Sequence, residues 1–398
     1  MKNKATPFWF IGILSAFSLL TFDLYQPALP AITDYFNTTH ALGQLTLSLY
    51  FLVFGLSQII WGPLIDHFGR RNTLRLSLFV FFAATMVCIF ATTIEMLIVG
   101  RILQGFSVCC SSVVAFSSTR DYEDSTERAR VFSHISMIVS VSPIFAPLIG
   151  SLIFIYYGWH AIFVLMLLIG ILLYLFSLII LNESPFWEKS ENRFRLDSSL
   201  ASYKELLGHS QLWLGAIIIT SSFSCIMIII VNAAYLIIDN LHQSPFFFSL
   251  IFASNGLMII LGNFLGIYLR KKRSLTWSIH LGSLIMVSGS LAMLLLFFIL
   301  GFRIVSLVPV MLISLGVSIL SPATYSLALA NYDKQAATAT AFINTLRMTI
   351  GALIAGILSA LIPNDVKILA LGLLLCSLIC WFISLFISEP QATGQKKL

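Results

Sequence analysis

Long apolar segments alternate with short polar ones along the whole chain. Each apolar segment has about twenty residues or more, the length of helix that crosses a hydrocarbon core of roughly 30 Å. The strands of a transmembrane β-barrel would instead alternate apolar and polar residues over about ten positions. The pattern therefore predicts twelve transmembrane helices, at roughly 8–31, 42–62, 74–93, 94–117, 131–155, 160–181, 211–238, 245–268, 274–299, 303–328, 335–360 and 366–387.

The composition agrees with this prediction and excludes a soluble protein. Of the 398 residues, 58% are hydrophobic and only 10% are charged, and the mean hydropathy is +0.95. A soluble domain could not bury that much apolar surface. Lys2 and Lys4 precede the first apolar segment, which exceeds the apolar region of a signal peptide and lacks a small-x-small cleavage site, so we interpret it as a permanent helix.

The basic residues predict which way the helices run, because Lys and Arg concentrate in cytoplasmic loops. With the N-terminus inside, nineteen of the 23 basic residues fall on cytoplasmic segments. Arg303 and Lys367 fall outside, and Arg101 and Arg347 lie within helices. Both termini are thus predicted to be cytoplasmic, and the net charge of +6 reflects this topology rather than a nucleic-acid partner.

The cysteines and histidines do not indicate a metal site. All six cysteines lie within predicted helices and lack the spacing of zinc ligands, and the seven histidines form no paired motif. We therefore expect neither a metal nor a cofactor. A membrane enzyme would need a nucleophile–base or metal constellation near the membrane surface, and the sequence offers none, so we do not expect an enzyme.

A long polar stretch divides the twelve helices into two sets of six. It predicts a first bundle at 1–181, a cytoplasmic linker at 182–210 and a second bundle at 211–398. "GPLIDHFGRR" (62–71) follows the second helix and "GNFLGIYLRK" (262–271) follows the eighth, and the two segments match at several positions. Related halves of six helices are typical of transporters that rock about a central site.

The loop after the second helix resembles a known signature. "GPLIDHFGRRNTL" (62–74) is similar to the Gly-x-Leu-x-Asp-x-x-Gly-Arg-Arg loop of the major facilitator superfamily. The resemblance implies an all-α membrane protein with twelve transmembrane helices in two six-helix halves. It also implies a conformational latch that joins the cytoplasmic ends of the halves in the outward-open state, formed by Gly62, Asp66, Gly69, Arg70 and Arg71.

Other stretches resemble the drug/proton antiporters of the Bcr/CflA and MdfA type within that superfamily. "TFDLYQPALP" (21–30) is similar to their first helix, and "LIVGRILQGFSVCC" (97–110) to the Arg-x-x-Gln-Gly element of their fourth. This resemblance covers almost the whole chain and implies a proton-driven exporter of the bacterial inner membrane, with the proton gradient as the driving force.

"SPIFAPLIGS" (142–151) resembles the antiporter motif of helix 5, usually Gly-Pro-x-x-Gly-Gly. Ala146 and Ser151 replace two of the glycines, which weakens the inference of antiport slightly. The small residues and proline kinks still permit close helix packing. The candidate residues of this motif are Pro143, Pro147 and Gly150.

Asp23 and Arg101 are two charges at similar depth within the predicted membrane. Asp23 lies about eight residues, or ~12 Å, from the outer end of helix 1, and Arg101 about seven residues, or ~10 Å, from that of helix 4. Burial disfavours the ionised carboxylate and a nearby arginine favours it, so a conformational change could switch Asp23 between its protonated and ionised forms. We expect these residues to couple transport to protons, although a purely structural ion pair remains an alternative.

The cargo is less clearly indicated. MdfA-type relatives carry a second acid about two turns earlier in helix 1, where this chain has Ser15, and they usually have a neutral residue where it has Arg347. Both departures disfavour cationic cargo, yet Arg347 could equally be bonded to carbonyls of a neighbouring helix. Polar and aromatic residues at helical spacing give the substrate-cavity candidates: Tyr50, Phe54, Gln58, Asn232, Tyr235, Asn255, Asn344 and Arg347.

The sequence thus predicts a monomeric, proton-coupled antiporter that exports small, largely apolar compounds by alternating access. Its expected partners are a small-molecule substrate, protons and the lipid bilayer. One alternative keeps the fold and changes the cargo to an anionic metabolite such as a carboxylate siderophore. A second alternative is a proton-coupled importer, which the helix 5 motif disfavours.

Overall fold

The computed structural model describes residues 6–122, 125–184, 187, 208, 210–330, 332, 336–361 and 366–388. Most of the predicted linker at 182–210 therefore lies outside the described residues. Twelve helices of the described chain are long and apolar enough to cross a membrane, which confirms the predicted all-α architecture. In order, α1 to α12 are Phe8–Tyr35, His40–Phe68, Arg70–Ile89, Ile94–Ser118, Ser125–Tyr157, Trp159–Ile179, Ser210–Asn240, Pro245–Arg270, Leu275–Leu300, Ile304–Ala328, Ala336–Leu361 and Val366–Ser384.

The helices pack as two sets of six. In the first set α1 contacts α4 and α5, α2 and α3 contact α4, and α3 contacts α6. In the second set α7 contacts α10, α11 and α12, while α10 also contacts α8 and α9. The main contacts between the sets join α2 to α11 and α5 to α8. In the two sets of six, α8 is the equivalent of α2 and α11 is the equivalent of α5. The two pairs are therefore equivalent, as expected for related halves.

Small residues allow the halves to approach closely at both of these pairs. In α2, a Cβ atom at Gly55 would lie 2.8 Å from side-chain atoms of Met348 and Thr349 in α11. In α8, a Cβ atom at Gly256 would lie 2.7 Å from the side chain of Ile144 in α5. Close packing through small residues is the usual way in which transmembrane helices associate.

The first transmembrane helix is broken, where the sequence predicted one continuous helix. An α-helix ends at Asp23, a 3₁₀ turn follows at Gln26–Ala28, and a second α-helix covers Leu29–Tyr35. Pro27 and Pro30 cause the break, because neither has an N–H to donate to the carbonyl four residues earlier. Asp23 consequently sits at the C-terminal end of a helix in the middle of the bundle.

We use the orientation that the basic residues predict, and call the end at which α1 begins the inner end and the other the outer end. At the inner end, Arg70 in α3 pairs with Asp121, just after α4, with Nη1–Oδ2 at 2.5 Å and Nη2–Oδ1 at 3.0 Å. Arg70 also donates to the Ser118 hydroxyl, 2.9 Å away. Both charged side chains are buried. This two-point contact ties the loops after α2 and α4 together.

Glu183 completes this inner cluster by capping α3. Its two carboxylate oxygens accept the backbone N–H groups of Arg70 and Arg71, each at 2.9 Å. A carboxylate at a helix N-terminus satisfies orphan donors and complements the helix dipole. Gly69 precedes the helix at φ 80°, a conformation that favours glycine.

The structure pairs Arg70 with an acid that lies outside the signature loop. Arg70 pairs with Asp121, and Arg71 donates to the Leu178 carbonyl at the end of α6. Asp66 accepts a bond at its backbone carbonyl from the Trp187 indole. These contacts lie within the first half, so a latch between the halves stays a prediction.

Removing the Asp121 carboxylate should destabilise the first half. Asp121→Ala leaves the buried Arg70 guanidinium without its acid, and losing one partner of a buried pair costs about 3 kcal/mol. We expect a lower melting temperature for the purified protein in detergent. Glu95→Ala is the control, because Glu95 is exposed at the start of α4. Equal melting temperatures for the two variants would contradict a stabilising role for the pair.

Candidate functional site

Asp23 is buried at the break in α1, with only 4% of its surface exposed. The Gln26 side-chain amide, one turn later, donates a hydrogen bond of 2.8 Å to one carboxyl oxygen. The amide oxygen of Gln26 is buried without a partner. The break in the helix, and not the helix itself, therefore supplies the immediate surroundings of this acid.

Arg101 is fully buried in α4 and lies between two tyrosine rings. Its guanidinium carbon is 4.5 Å from the ring centre of Tyr25 in α1 and 4.4 Å from that of Tyr50 in α2. Nη1 donates to the Gln104 side-chain oxygen at 2.8 Å and to the Thr21 carbonyl at 3.2 Å. Nε and Nη2 are buried without an acceptor. This edge of the guanidinium is the one that can bind a carboxylate through two parallel bonds.

The structure brings Asp23 and Arg101 into one region but does not pair them directly. The described residues contain no ion pair between them. The Tyr50 hydroxyl contacts the Thr21 hydroxyl at 2.8 Å. The site therefore holds a carboxyl group on α1 and an unfilled guanidinium edge on α4, and the Arg101 guanidinium contacts Thr21 and Tyr25, which flank Asp23 in the chain.

Sequence reasoning gave no role to Tyr25, Thr21, Gln26 or Gln104. Gln104 follows Arg101 by three positions, which places both on one face of α4, and its amide donates to the Thr85 hydroxyl at 2.8 Å. That spacing was a usable signal. Tyr25 and Gln26 lie in the broken part of α1, where helical spacing does not apply, so no periodic pattern could have identified them.

Tyr50 and Phe54 pack within the first half. Tyr50 is fully buried against Arg101, and the Phe54 ring is stacked on it with ring centres 6.4 Å apart. Gln58, one turn further along α2, is half-buried. A role of these three residues in binding substrate stays a prediction.

Asn232 and Tyr235 lie near the outer end of α7 and contact the first half. The Gln44 side-chain amide donates to the Asn232 side-chain oxygen at 3.0 Å, and the hydroxyls of Tyr235 and Thr33 are 2.5 Å apart. From Tyr235 to Asn240 the chain forms a π-helix, a local widening that often occurs at functional sites.

The residues of the helix 5 motif contact helices of both halves. Pro143 and Pro147 lie inside the α5 helix. The Ser249 hydroxyl of α8 donates to the Pro147 carbonyl at 2.8 Å, which joins the halves. A Cβ atom at Gly150 would collide with the Leu24 carbonyl, so only glycine lets α5 approach the break in α1 this closely.

Arg347 lies in α11, with its guanidinium carbon 4.7 Å from the ring centre of Phe223 in α7. Its Nε is buried without an acceptor, and it makes no ion pair with any described carboxylate. Asn344, on the same face of α11, accepts a bond of 2.7 Å from the Tyr325 hydroxyl in α10. This second arginine thus also offers an unfilled donor within the membrane.

Asn255 lies in a different environment from Arg347. It lines an apolar cavity within the second half, together with residues such as Ile229, Phe252 and Met293, and its amide oxygen is buried without a partner. Among the described residues, no three His, Cys, Asp or Glu side chains are close enough together to hold a metal ion.

Relatives of this chain are transporters. It is 30% identical over 386 residues to an uncharacterized transporter of Rickettsia bellii, covering 93% of this chain and 94% of the relative. It is 26% identical to the MFS-type transporter YdgK of Bacillus subtilis, covering 89% and 88%. A shorter match of 162 residues, 32% identical, aligns 41% of this chain with 42% of the multidrug resistance protein MdtL of Citrobacter koseri.

Solved structures support the same fold. The chain superposes on a D-xylose–proton symporter with a TM-score of 0.76 and 15% identity, covering 97% of this chain and 99% of the other. At that identity the likeness concerns the fold alone. The sequence profile of the Major Facilitator Superfamily matches residues 11–356. The twelve helices in two sets of six, the relatives and this match together show that the chain is a transporter of the Major Facilitator Superfamily and not an enzyme.

Proposed function

We propose that this transporter exports small, largely apolar compounds from the bacterial cytoplasm in exchange for protons. The observation that carries the proposal is the buried Asp23 at the break in α1, close to an arginine with an unfilled edge. Ionisable residues are costly within a membrane and mark proton or substrate pathways by default. In this proposal the protein lies in the inner membrane with both termini in the cytoplasm.

The protonation state of Asp23 would select between two arrangements of the site. The neutral acid accepts the hydrogen bond that the Gln26 amide donates and needs no cation. The ionised carboxylate needs compensation, and Nε and Nη2 of Arg101 could supply it through a charge-assisted pair. In this proposal a backbone movement at the break in α1 exchanges these partners. A proton taken up from outside and released inside could then drive export.

Relatives give partial support for this cargo and direction. The name of MdtL refers to multidrug resistance, but that match covers less than half of either chain. The D-xylose–proton symporter resembles this chain in fold alone, so its cargo does not favour import here. The prolines and Gly150 of α5 favour antiport by their resemblance to the antiporter motif.

A second candidate is the export of an anionic metabolite such as a carboxylate siderophore, and Arg347 favours it. Its guanidinium lies over Phe223, its Nε lacks an acceptor, and no described carboxylate neutralises it. An anionic cargo would gain a charge-assisted hydrogen bond there. A cationic cargo would meet repulsion that the low dielectric of the interior strengthens.

Asp23→Asn tests the proton coupling. Asn keeps an oxygen that can accept the Gln26 bond, so the variant should fold and insert, but it cannot take up or release a proton. We expect loss of pH-gradient-driven transport of neutral lipophilic dyes into inside-out vesicles. Asp34→Asn is the control, because Asp34 is an exposed acid near the outer end of α1. Full proton-driven transport by Asp23→Asn would contradict the proposal.

Arg347→Gln tests the second candidate. Removing the charge should weaken the export of lipophilic organic anions and admit lipophilic cations, because the like-charge repulsion disappears. The measurement is the transport profile over matched anionic, neutral and cationic dyes at equal expression. Arg303→Gln serves as the control, since it removes a positive charge from an exposed position of the same half. Identical profiles for wild type and Arg347→Gln would mean that Arg347 has only a packing role.

A further inference from the structure

Side chains from both halves meet at the outer end of the bundle. Thr33 and Tyr235 form the shortest contact, with 2.5 Å between their hydroxyl oxygens. The Gln44–Asn232 bond is 3.0 Å long, and His40 Nε2 lies 3.4 Å from an Asp239 carboxyl oxygen. The His40 ring also packs on the Tyr235 ring, with centres 4.5 Å apart. We call these six residues the outer closure: Thr33, His40, Gln44, Asn232, Tyr235 and Asp239.

Gly43 lies directly beneath the Thr33–Tyr235 contact and makes room for it. A Cβ atom at position 43 would collide with both the Tyr235 hydroxyl oxygen and the Thr33 hydroxyl oxygen. It would also lie 3.3 Å from the ring carbon that carries the Tyr235 hydroxyl. Tyr235 is fully buried and its ring is rigid, so the ring cannot move aside as a flexible side chain would.

The next turn of α2 connects this contact to the charged site. Thr46 donates to the Gly43 carbonyl at 2.6 Å, and its hydroxyl is 3.0 Å from that of Tyr25. The ring of Tyr25 in turn lies over the Arg101 guanidinium. Gly43 and Thr46 therefore form a short, continuous path along one face of α2 from the buried arginine to the outer closure.

We propose that Tyr235 is a positioning residue for transport: its hydroxyl, seated over Gly43 and bonded to Thr33, holds the outer end of the two halves shut. For the outer end of the bundle to open, α7 must then move so that the Tyr235 phenol leaves the space beside Gly43. The proposal rests on the alternating-access part of the proposed function, and not on the cargo or the proton.

A thiol reporter beneath the closure can test this without any cargo. Ser48 lies one turn below Gln44 in α2, is buried, and faces Gly356 of α11. We would introduce Ser48→Cys and measure its labelling rate by a membrane-impermeant maleimide added to the outer side of right-side-out vesicles. The same protein without Ser48→Cys gives the background, because its six native cysteines are buried.

Two substitutions and their combination distinguish a specific role of the Tyr235 hydroxyl from a general loosening of the outer closure. Gly43→Ala should raise the labelling rate roughly tenfold, because overpacking favours the open outer end. Tyr235→Phe should raise it a few-fold, because it removes only the bond to Thr33. In the Tyr235→Phe background, Gly43→Ala should add less than it does alone, since one of the two hydroxyls with which its methyl collides is gone.

The control is Gly372→Ala in α12, where the added Cβ would lie 2.9 Å from the movable end of the Leu358 side chain. This variant should label at the parent rate. Parent-like labelling of both Gly43→Ala and Tyr235→Phe would overturn the proposal. So would an equal effect of Gly43→Ala with and without the Tyr235 hydroxyl. Tyr235→Phe alone suffices if Gly43→Ala fails to insert, and no outcome depends on whether Asp23 carries a proton.

Discussion

Arg101 is fully buried in the membrane interior, where a cation needs electron-rich neighbours, and three helices supply them. The ring faces of Tyr25 and Tyr50 cover the guanidinium, and cation–π contacts of this kind contribute about 2 kcal/mol when water is excluded. The Gln104 side-chain oxygen and the Thr21 carbonyl accept hydrogen bonds from Nη1. Since these groups come from α1, α2 and α4, the cation holds three helices together without an ion pair.

The break in α1 is caused by two prolines, and it brings further side chains to Asp23 and Arg101. Pro27 and Pro30 stop the helix at Asp23, and the turn that follows carries Tyr25 to the guanidinium and Gln26 to the carboxyl group. In a continuous helix Gln26 would also share a face with Asp23, but Tyr25 would lie about 200° around the helix from it. The same prolines therefore position the acid, its hydrogen-bond donor and one cover of the cation.

The sequence was sufficient for the features that depend on local pattern. Twelve apolar segments predicted twelve helices, because a bilayer requires a helix to satisfy its own backbone bonds. Asp23 and Arg101 were identifiable because charges are rare at that depth. Partners that depend on three-dimensional packing were not identifiable. Asp121, the partner of Arg70, is 51 positions away in the chain, and Tyr25 lies beyond the helix end, where no periodicity applies. Gly43 carried no signal at all, since its importance lies in a ring 192 positions away.

The two ends of the bundle are stabilised by contacts of different strength, and this difference suits a protein that must change shape. At the inner end Arg70 and Asp121 form a buried ion pair within the first half, and the half-buried Glu183 carboxylate caps α3 beside it. At the outer end the halves are joined through hydroxyls, amides and the partly exposed His40–Asp239 contact. Each of these contacts contributes only about 1 kcal/mol net. Together these contacts contribute a few kcal/mol, which a change in protonation or a bound ligand can also supply. The outer closure is therefore strong enough to seal the bundle and weak enough to open.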